Sequence, residues 1–522
     1  MNYCSKEQQA NIVYYRPPWT CGRYDVEHRV ALFYNLLEGM SYFFEDDSAE
    51  IIGHLLQIER NDYIALEKLS KDTDTEEECL VDFLNLLIDA GLLTNQAITA
   101  NRLHNYRHAC AKKKMHEASV RIELPTEEKL PYIISTSESL YSERIGGITS
   151  VMLELTYNCS EKCIHCYNIG ATRNDDEKSG RNKLEELTID DYRRVLDQLY
   201  DKGLVKVCLS GGDPFSKPAI WDIIDYLYQK NIAFDIFTNG QQLANHEYRL
   251  ASYYPRLVGI SIYSSNPSEH DYITRVQGSW ERSMSTAQML ASLSVPLNIK
   301  CCIMRPNMKG YRGVKEIAQS LGGAVQYEIS ITDSIEGDYC ATKYLRLTEK
   351  EMEIILCDNN LKLYVGKEAP QYGGIQRKLS DVACGAGEYS ITLTPDGMLI
   401  PCCAFHLNFG NVRENSVEEI LASPIRRTWL NHTLADYEEC GRYEYCNYCN
   451  LCTGNNLSEN GNYLNAATRN NCWLAQIRYN LAQKMANENY DPLGGKSIDE
   501  KIAELPNYEP VKLQRLFDNR GG

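Results

Sequence analysis

The 522-residue chain contains no apolar run approaching the roughly 18 residues that a membrane-spanning helix needs, which excludes a helical membrane protein. It also has no excess of positive charge. Its 54 Lys and Arg stand against 71 Asp and Glu, a formal net of -17, and such a surface repels a phosphate backbone. Nucleic acid and membrane are therefore not expected as partners. The opening stretch MNYCSKEQQANIVYYRPP lacks a basic segment followed by an apolar one, so no secretory signal is read and a cytoplasmic location is expected. No internal repeat, low-complexity tract or long Pro/Gly/Ser linker stands out. What the chain does have is cysteine, 20 in all, and in a reducing compartment clustered thiols read as metal ligands before disulfides.

The thiols are unevenly placed: Cys159, Cys163 and Cys166 sit together, and eight more lie between Cys384 and Cys472. Residues 1–100 begin with β-type runs, NIVYYR, RVALFYN and MSYFF, the last two separated by a hairpin turn at LLEG. Three helices follow. Ser48 is a candidate cap for the first and Asp62 for the second. The third runs from about Thr75, with Leu80, Leu84, Leu87 and Ile88 at helical spacing, acidic residues Glu76 to Glu78 at its positive end and Gly91 as its stop. Three strands followed by three helices make a winged-helix-like α+β domain. Residues 74–94 contain no Lys or Arg, which argues against DNA binding.

Residues 101–147 read as a connector, partly basic and then extended around ELPTEEKLPY. From 148 to 345, six β-type runs (ITSVMLELT, LVKVCLS, IAFDIFTNG, LVGISIYS, LNIKCCIM and AVQYEISI) alternate with helices. TIDDYRRVLDQLYDKG opens on a capping-box-like Thr188 and Asp191, and WDIIDYLYQK follows later. Fully apolar strands in such alternation predict a parallel sheet, here an α/β partial (β/α)6 TIM-like barrel, with chemistry at the C-terminal strand ends. Residues 346–383 bridge to a cysteine-rich domain at 384–475, and 476–522 form a C-terminal helix and tail.

At the end of the first barrel strand, ELTYNCSEKCIHCYNIG sets Cys159, Cys163 and Cys166 in the spacing CxxxCxxC. Three soft ligands suit a [4Fe-4S] cluster with one iron left open, whereas structural zinc usually takes a fourth ligand, and His165 adjoins Cys166 too closely to serve easily. LSGGDPF, with Gly211, Gly212 and Asp213, ends the second strand, where glycines let the backbone approach a ligand. TNG ends the third, and SIYSSNPSEHDYITRVQGSW follows the fourth. Further on, Cys384 and Cys402 are separated by twelve residues, Gly397 and four more, and a TPDG turn would fold the second strand back so that the two thiols meet. Cys440, Cys446, Cys449 and Cys452 come next, then Cys472 before a helix starting at Trp473. Zinc is the structural alternative for such spacing. Cys208, Cys301 and Cys302 read as small core residues, and His270 as one possible catalytic group.

In this order the motifs resemble the radical SAM superfamily, whose cluster motif is CxxxCxΦC with an aromatic at Φ; here His165 holds that position and Tyr167 follows the last cysteine. The resemblance implies that the open iron binds S-adenosylmethionine, which is cleaved to methionine and a 5′-deoxyadenosyl radical that abstracts a substrate hydrogen atom. It also implies an external electron donor such as flavodoxin or ferredoxin. By the same resemblance, Tyr167 and the strand end Gly211, Gly212 and Asp213 are candidates for binding the cofactor, the last three at the methionine amino group. Ser261 is a candidate for the ribose hydroxyls and Asn239 for the carboxylate. Family members often carry Arg three residues after the HD pair, where this chain has Thr274 and then Arg275.

The third region resembles the SPASM extension of these enzymes. Cys384 to Cys402 fits its CX9-15GX4C element, while the later part reads CX5CX2CX2C instead of CX2CX5CX3C. Seven spaced cysteines, or eight with Cys403, imply one or two auxiliary [4Fe-4S] clusters. The N-terminal region resembles the peptide-recognition element of ribosomal-peptide maturases, which adds an extended leader peptide to a hairpin edge, with the third helix as the other wall. Residues 38–89 hold 15 Asp or Glu and 3 Lys or Arg, so a basic leader is expected. The expected activity is installation of an intrapeptide thioether or carbon–carbon crosslink in a precursor peptide of leader plus core. The alternatives are formylglycine-type protein oxidation, peptide epimerisation using a free thiol such as Cys340 or Cys357, and a noncatalytic zinc-binding adaptor.

Overall fold

The computed structural model of the chain describes residues 12–120, 131–168, 185–332, 342–361, 363–365, 376–464, 469–487 and 490–509. The N-terminal unit contains β1 (Val13–Tyr15), β2 (Thr20–Asp25), β3 (Val30–Asn35), β4 (Met40–Glu45) and β5 (Tyr63–Ala65). β2, β3 and β4 form an antiparallel meander in which Asn35 faces Met40 across the expected turn. The first expected strand does not join it. NIVYYR pairs with β5 instead, and the meander is completed by β2, whose TCGRYD carries little β signal. Gly22 is what lets β2 pass so close: a Cβ there would lie 2.1 Å from the Leu32 carbonyl oxygen.

The three helices are Asp46–Gln57, Leu66–Thr73 and Glu77–Asp89. The first starts two residues before Ser48, whose hydroxyl donates to the Glu45 carbonyl at 2.7 Å. The second starts after β5, and Asp62 accepts from the Tyr63 amide at 2.8 Å instead of capping the helix. The third ends as expected, with Gly91 left-handed at φ 67°. Its buried Leu80, Leu84 and Leu87 pack with Phe33, Ile52 and Leu55 into a core of its own.

The connector is more regular than its sequence suggested. It folds as helices Ala100–Val120 and Pro131–Ile145, while most of ELPTEEKLPY lies outside the described residues. The second of these helices fills the space between the other face of the meander and the barrel: Tyr141 packs with Val30, Leu32 and Tyr34, and Glu138 accepts from the Tyr34 hydroxyl at 3.1 Å.

Six parallel strands follow in sequence order, β6 (Ser150–Glu154), β7 (Lys206–Ser210), β8 (Ala233–Thr238), β9 (Leu257–Ser261), β10 (Leu297–Cys302) and β11 (Ala324–Glu328). Val151, Leu153, Val207, Leu209, Ile236, Val258 and Ile260 enter the shared core under the helices. The Thr188–Asp191 capping box is formed. The cysteine-rich region does not hang from this sheet as an appendage. Its hairpin strands β12 (Ser390–Leu393) and β13 (Met398–Ile400), with β14 (Gly410–Asn411), continue the sheet, β12 lying parallel to β6 with Leu393 opposite Leu153. The late helix begins at Arg469, so Cys472 lies within its first turn and not before it. Among the described residues no helix is long and apolar enough to cross a membrane.

Arg16 ties the N-terminal unit to the barrel. Only 1% exposed, its guanidinium donates to the Leu56 and Ile58 carbonyls at 2.8 Å each and to Asn231 Oδ1 of the barrel at 2.6 Å. Replacement by Met removes charge-assisted bonds and strands their acceptors, so Arg16→Met is expected to cost about 3 kcal/mol in urea-induced unfolding of the N-terminal unit. Asn231, left-handed at φ 58°, also accepts from Arg60 at 3.3 Å, so Asn231→Gly, which keeps that backbone and loses only these two bonds across the junction, should cost about 2 kcal/mol.

Candidate functional site

The loop that leaves β6 carries Cys159, Cys163 and Cys166 and is fixed from two sides. The amides of Lys162 and Ile164 donate to the carbonyls of Thr274 (3.0 Å) and Ile273 (2.9 Å), acceptors left open at the end of helix Pro267–Thr274. From the other side, Gly212 and Asp213 donate their amides to Thr156 O (2.7 Å) and Asn158 O (2.9 Å). A Cβ on Gly211 would lie 2.3 Å from Thr156 O, and one on Gly212 2.3 Å from Asn158 O. The two glycines are required because backbone lies on backbone there.

The Asp213 carboxylate is completely buried and engaged by the protein. It accepts from Thr238 Oγ1 (2.6 Å), the Asn239 amide (2.9 Å) and the Phe215 amide (2.9 Å). Asn239, held in this way, points its Nδ2 at Cys159 Sγ (3.3 Å) and Ser160 Oγ (3.2 Å). The three thiols lie close enough to disfavour one another's ionisation. Burial is the larger influence: it pushes Cys159 up to about 12 and Cys163 well above its ordinary value, with Glu161 and the neighbouring thiols adding to it. His165, in the aromatic position, packs edge-on against Tyr263 at 4.7 Å. Burial pushes it down to about 4, so it is neutral at pH 7.

The other expected site residues are spread around this loop. Ser261, at the end of β9, hydrogen-bonds the Tyr263 phenol. Arg275 is exposed and left-handed at φ 59°, just past helix Pro267–Thr274. His270 is fully buried, stacks on Tyr263 at 5.5 Å and accepts from the Tyr263 amide at 3.2 Å, which places it in the support of the loop after β9. Tyr167 hydrogen-bonds the thiol of Cys403. Cys301 is core, whereas Cys208 faces the barrel interior near Asp235 and Cys403, and Cys302 lies beside Glu328.

The later thiols separate into two neighbourhoods. Cys402 lies among Cys384, Cys452 and Cys403. Cys440, Cys446, Cys449 and Cys472 are mutual neighbours. The run CX5CX2CX2C is thus divided: its first three thiols join Cys472, and Cys452 turns back to the hairpin. Burial raises Cys402, Cys449 and Cys472 to about 12 each. Among the described residues no three His, Cys, Asp or Glu side chains close tightly enough to chelate one ion. A cubane that gives each thiolate its own iron spaces its ligands more widely. Spacing did not reveal Glu154, the last residue of β6, which is 1% exposed, or Glu161, which is 3% exposed inside the cysteine motif. The only signal for Glu154 is an acid interrupting the apolar run VMLELT.

Residues 153–313 match the radical SAM superfamily, and residues 384–453 match the SPASM iron-sulfur cluster-binding domain. The chain carries a radical SAM domain followed by a SPASM domain. It is similar to the antilisterial bacteriocin subtilosin biosynthesis protein AlbA of Bacillus subtilis, 25% identical over 321 residues that cover 59% of this chain and 67% of AlbA. It is also similar to an AdoMet-dependent heme synthase of Methanosarcina barkeri, 24% identical over 60% of this chain and 93% of the synthase. The PqqA peptide cyclase of Rhizobium meliloti is 26% identical over 53% of this chain and 74% of the cyclase.

The radical SAM and SPASM domains bind S-adenosylmethionine and [4Fe-4S] clusters, and the donors present fit them. Buried thiols that repel one another's ionisation become stable ligands once cationic iron is among them, and the Asn239 amide supplies the kind of N–H bond to a ligating sulfur that tunes a cluster. Cys159, Cys163 and Cys166 would hold the cluster, and the cofactor bound to it would supply a 5′-deoxyadenosyl radical, a species that takes hydrogen atoms from substrates. Gly212→Ala should push the loop away from its support and lower the iron bound by about four per chain, leaving the far-ultraviolet circular dichroism unchanged; retention of all the iron would show that the close approach is dispensable.

Proposed function

We propose that the chain is a peptide maturase that captures the leader of a ribosomally made precursor on its N-terminal unit and closes an intrapeptide crosslink, thioether or carbon–carbon, in the core. Residues 1–100 serve recognition, 148–345 radical formation and 384–475 the auxiliary clusters, one held by Cys384, Cys402 and Cys452, the other by Cys440, Cys446, Cys449 and Cys472. S-adenosylmethionine sits over Cys159, Cys163 and Cys166, against the Gly211–Gly212 strand end and Ser261, with Tyr167 and Arg275 at the margins. Asp213 acts by positioning Asn239. A flavodoxin or ferredoxin in the cytoplasm delivers the electron.

The observation that carries the peptide reading is the wall between β4 and helix Glu77–Asp89. Phe44 of β4 meets Phe83 of the helix edge-on at 6.0 Å, and Leu86, one turn on, is 66% exposed. An apolar strip beside a strand suits an extended peptide added along that strand. The helix adds Glu77, Glu78, Asp82 and Asp89 and no basic residue, which favours a basic leader. Two relatives whose names concern peptide products support the same reading. The haem synthase relative supports a second, a small haem precursor as substrate, which would leave this wall without a use.

The test is leader binding to the full chain. Leu86→Ala costs the free protein little because the side chain is exposed, yet should weaken a cognate leader about tenfold by removing an apolar anchor. Affinity should fall as salt rises. A leader indifferent to both would contradict capture at this wall.

A further inference from the structure

Glu138, half-buried on the connector helix Pro131–Ile145, and Glu154, buried at the end of β6, live in opposite surroundings. Burial works to raise Glu138, but Lys206 and Arg256 outweigh it and hold the carboxyl below its ordinary range. Among the described residues Glu154 has no such partner. Burial pushes it up to about 7, a hydrogen bond from Tyr157 opposes this, and Asp396 adds to it. The charged and titratable groups around Glu154 are Tyr157 on its own loop, Tyr167 beyond the cysteine motif, Tyr192 on helix Ile189–Asp201, Asp396 in the hairpin turn and Cys403 after β13. None is basic, and among the described residues no ion pair reaches the carboxyl. Opposed environments of this kind separate a structural acid from a reactive one.

The location of Glu154 is as telling as its isolation. It is the last residue of β6, opposite Ser210 of β7, at the strand end where a barrel of this kind places its chemistry. On one side the chain runs directly into the loop of Cys159. On the other, Cys403 directly follows Cys402 of the first auxiliary group, and its thiol bonds Tyr167, which directly follows Cys166. The carboxyl therefore lies between the two thiol groups. Tyr157 donates to Oε2 at 3.1 Å and fixes the group, while Oε1 accepts no hydrogen bond among the described residues.

We propose that Glu154 is the base that takes up the proton released when the crosslink closes. The inference rests on the maturase reading above. The carbon radical left by hydrogen abstraction bonds to the sulfur or carbon of an X–H group on the peptide; the C–X bond forms as X–H breaks. The proton passes to Glu154 Oε1, and the remaining electron passes to an auxiliary iron–sulfur cluster of the SPASM domain. The glutamate must be ionised to act, so crosslinking should be sustained above pH 7 and fall as pH drops through that value.

The test compares wild type, Glu154→Gln and Glu154→Asp as full chains. In the metal-free proteins, difference infrared spectra of wild type against Glu154→Gln should show a protonated carboxyl band that disappears as pH rises through about 7. After reconstitution, with S-adenosylmethionine and a precursor peptide that the wild type crosslinks, Glu154→Gln should keep its iron and form 5′-deoxyadenosine at close to the wild-type rate. Its crosslinked product per 5′-deoxyadenosine should fall about a hundredfold, the usual scale for loss of a general base, and Glu154→Asp should recover part of it. The acid limb of the pH profile should vanish in Glu154→Gln. A wild-type product ratio, an unchanged acid limb, a parallel loss of iron and both products, or no titrating band would each overturn the proposal. If the wild type itself forms 5′-deoxyadenosine but no crosslink, the maturase reading fails and this inference falls with it.

Discussion

The Asp213 carboxylate accepts from Phe215, Thr238 and Asn239 while its own amide holds Asn158, so one buried residue joins the end of β7 to the end of β8 and both to the cysteine loop. Hydrogen bonds to a charged group are worth about 1.5–3 kcal/mol each, and a buried carboxylate stripped of them costs more than it returns. Asp213 can be tolerated there only if all its donors are in place, and their presence fixes Asn239 against Cys159. Glycine at 211 and 212 is the steric side of the same arrangement, because the strand end can reach the loop only without a Cβ.

The relation between the two iron–sulfur regions is set by backbone pairing. β12 continues the barrel sheet beside β6, so the hairpin that presents Cys402 leaves the same sheet edge as the loop that presents Cys159. Main-chain ladders do not drift as a linker would, and the Tyr167–Cys403 contact closes the gap above them. Thus Glu154, at the top of β6, has one thiol group on each side. At the opposite end, helix Pro131–Ile145 and the buried Arg16 lock the N-terminal unit onto the barrel. A peptide added along β4, as proposed, would be held relative to a rigid frame.

Much of this was legible in the sequence. The six barrel strands could be read because buried parallel strands are near-continuous apolar runs; LVGIS is one, and VKVCL and AFDIF are broken only by Lys206 and Asp235. The cysteine motif could be read because its spacing is local. What was missed depends on contacts distant in sequence. TCGRYD becomes β2 only because β3 is there to pair with it and Gly22 permits the approach. The helices of the connector gain their order from the faces they fill, as Tyr141 does against Leu32. The sorting of Cys440, Cys446 and Cys449 from Cys452 follows from the extended stretch 449–452 that joins the short helices Glu444–Tyr448 and Thr453–Asn460. Glu154 looked like one acid in an apolar strand, and only the neighbours that the hairpin brings to it set it apart.

The most direct test of the central claim is to supply the anaerobically reconstituted enzyme with a precursor peptide deuterated at its side-chain and α-carbon positions and to follow the label. Hydrogen abstraction from the peptide predicts that deuterium enters 5′-deoxyadenosine, while the peptide loses that deuterium and one further hydrogen as the crosslink closes, the S–H proton for a thioether or a second carbon-bound hydrogen for a carbon–carbon bond. Unlabelled 5′-deoxyadenosine beside a peptide of unchanged mass would contradict the account and return the chain to the search for a different substrate.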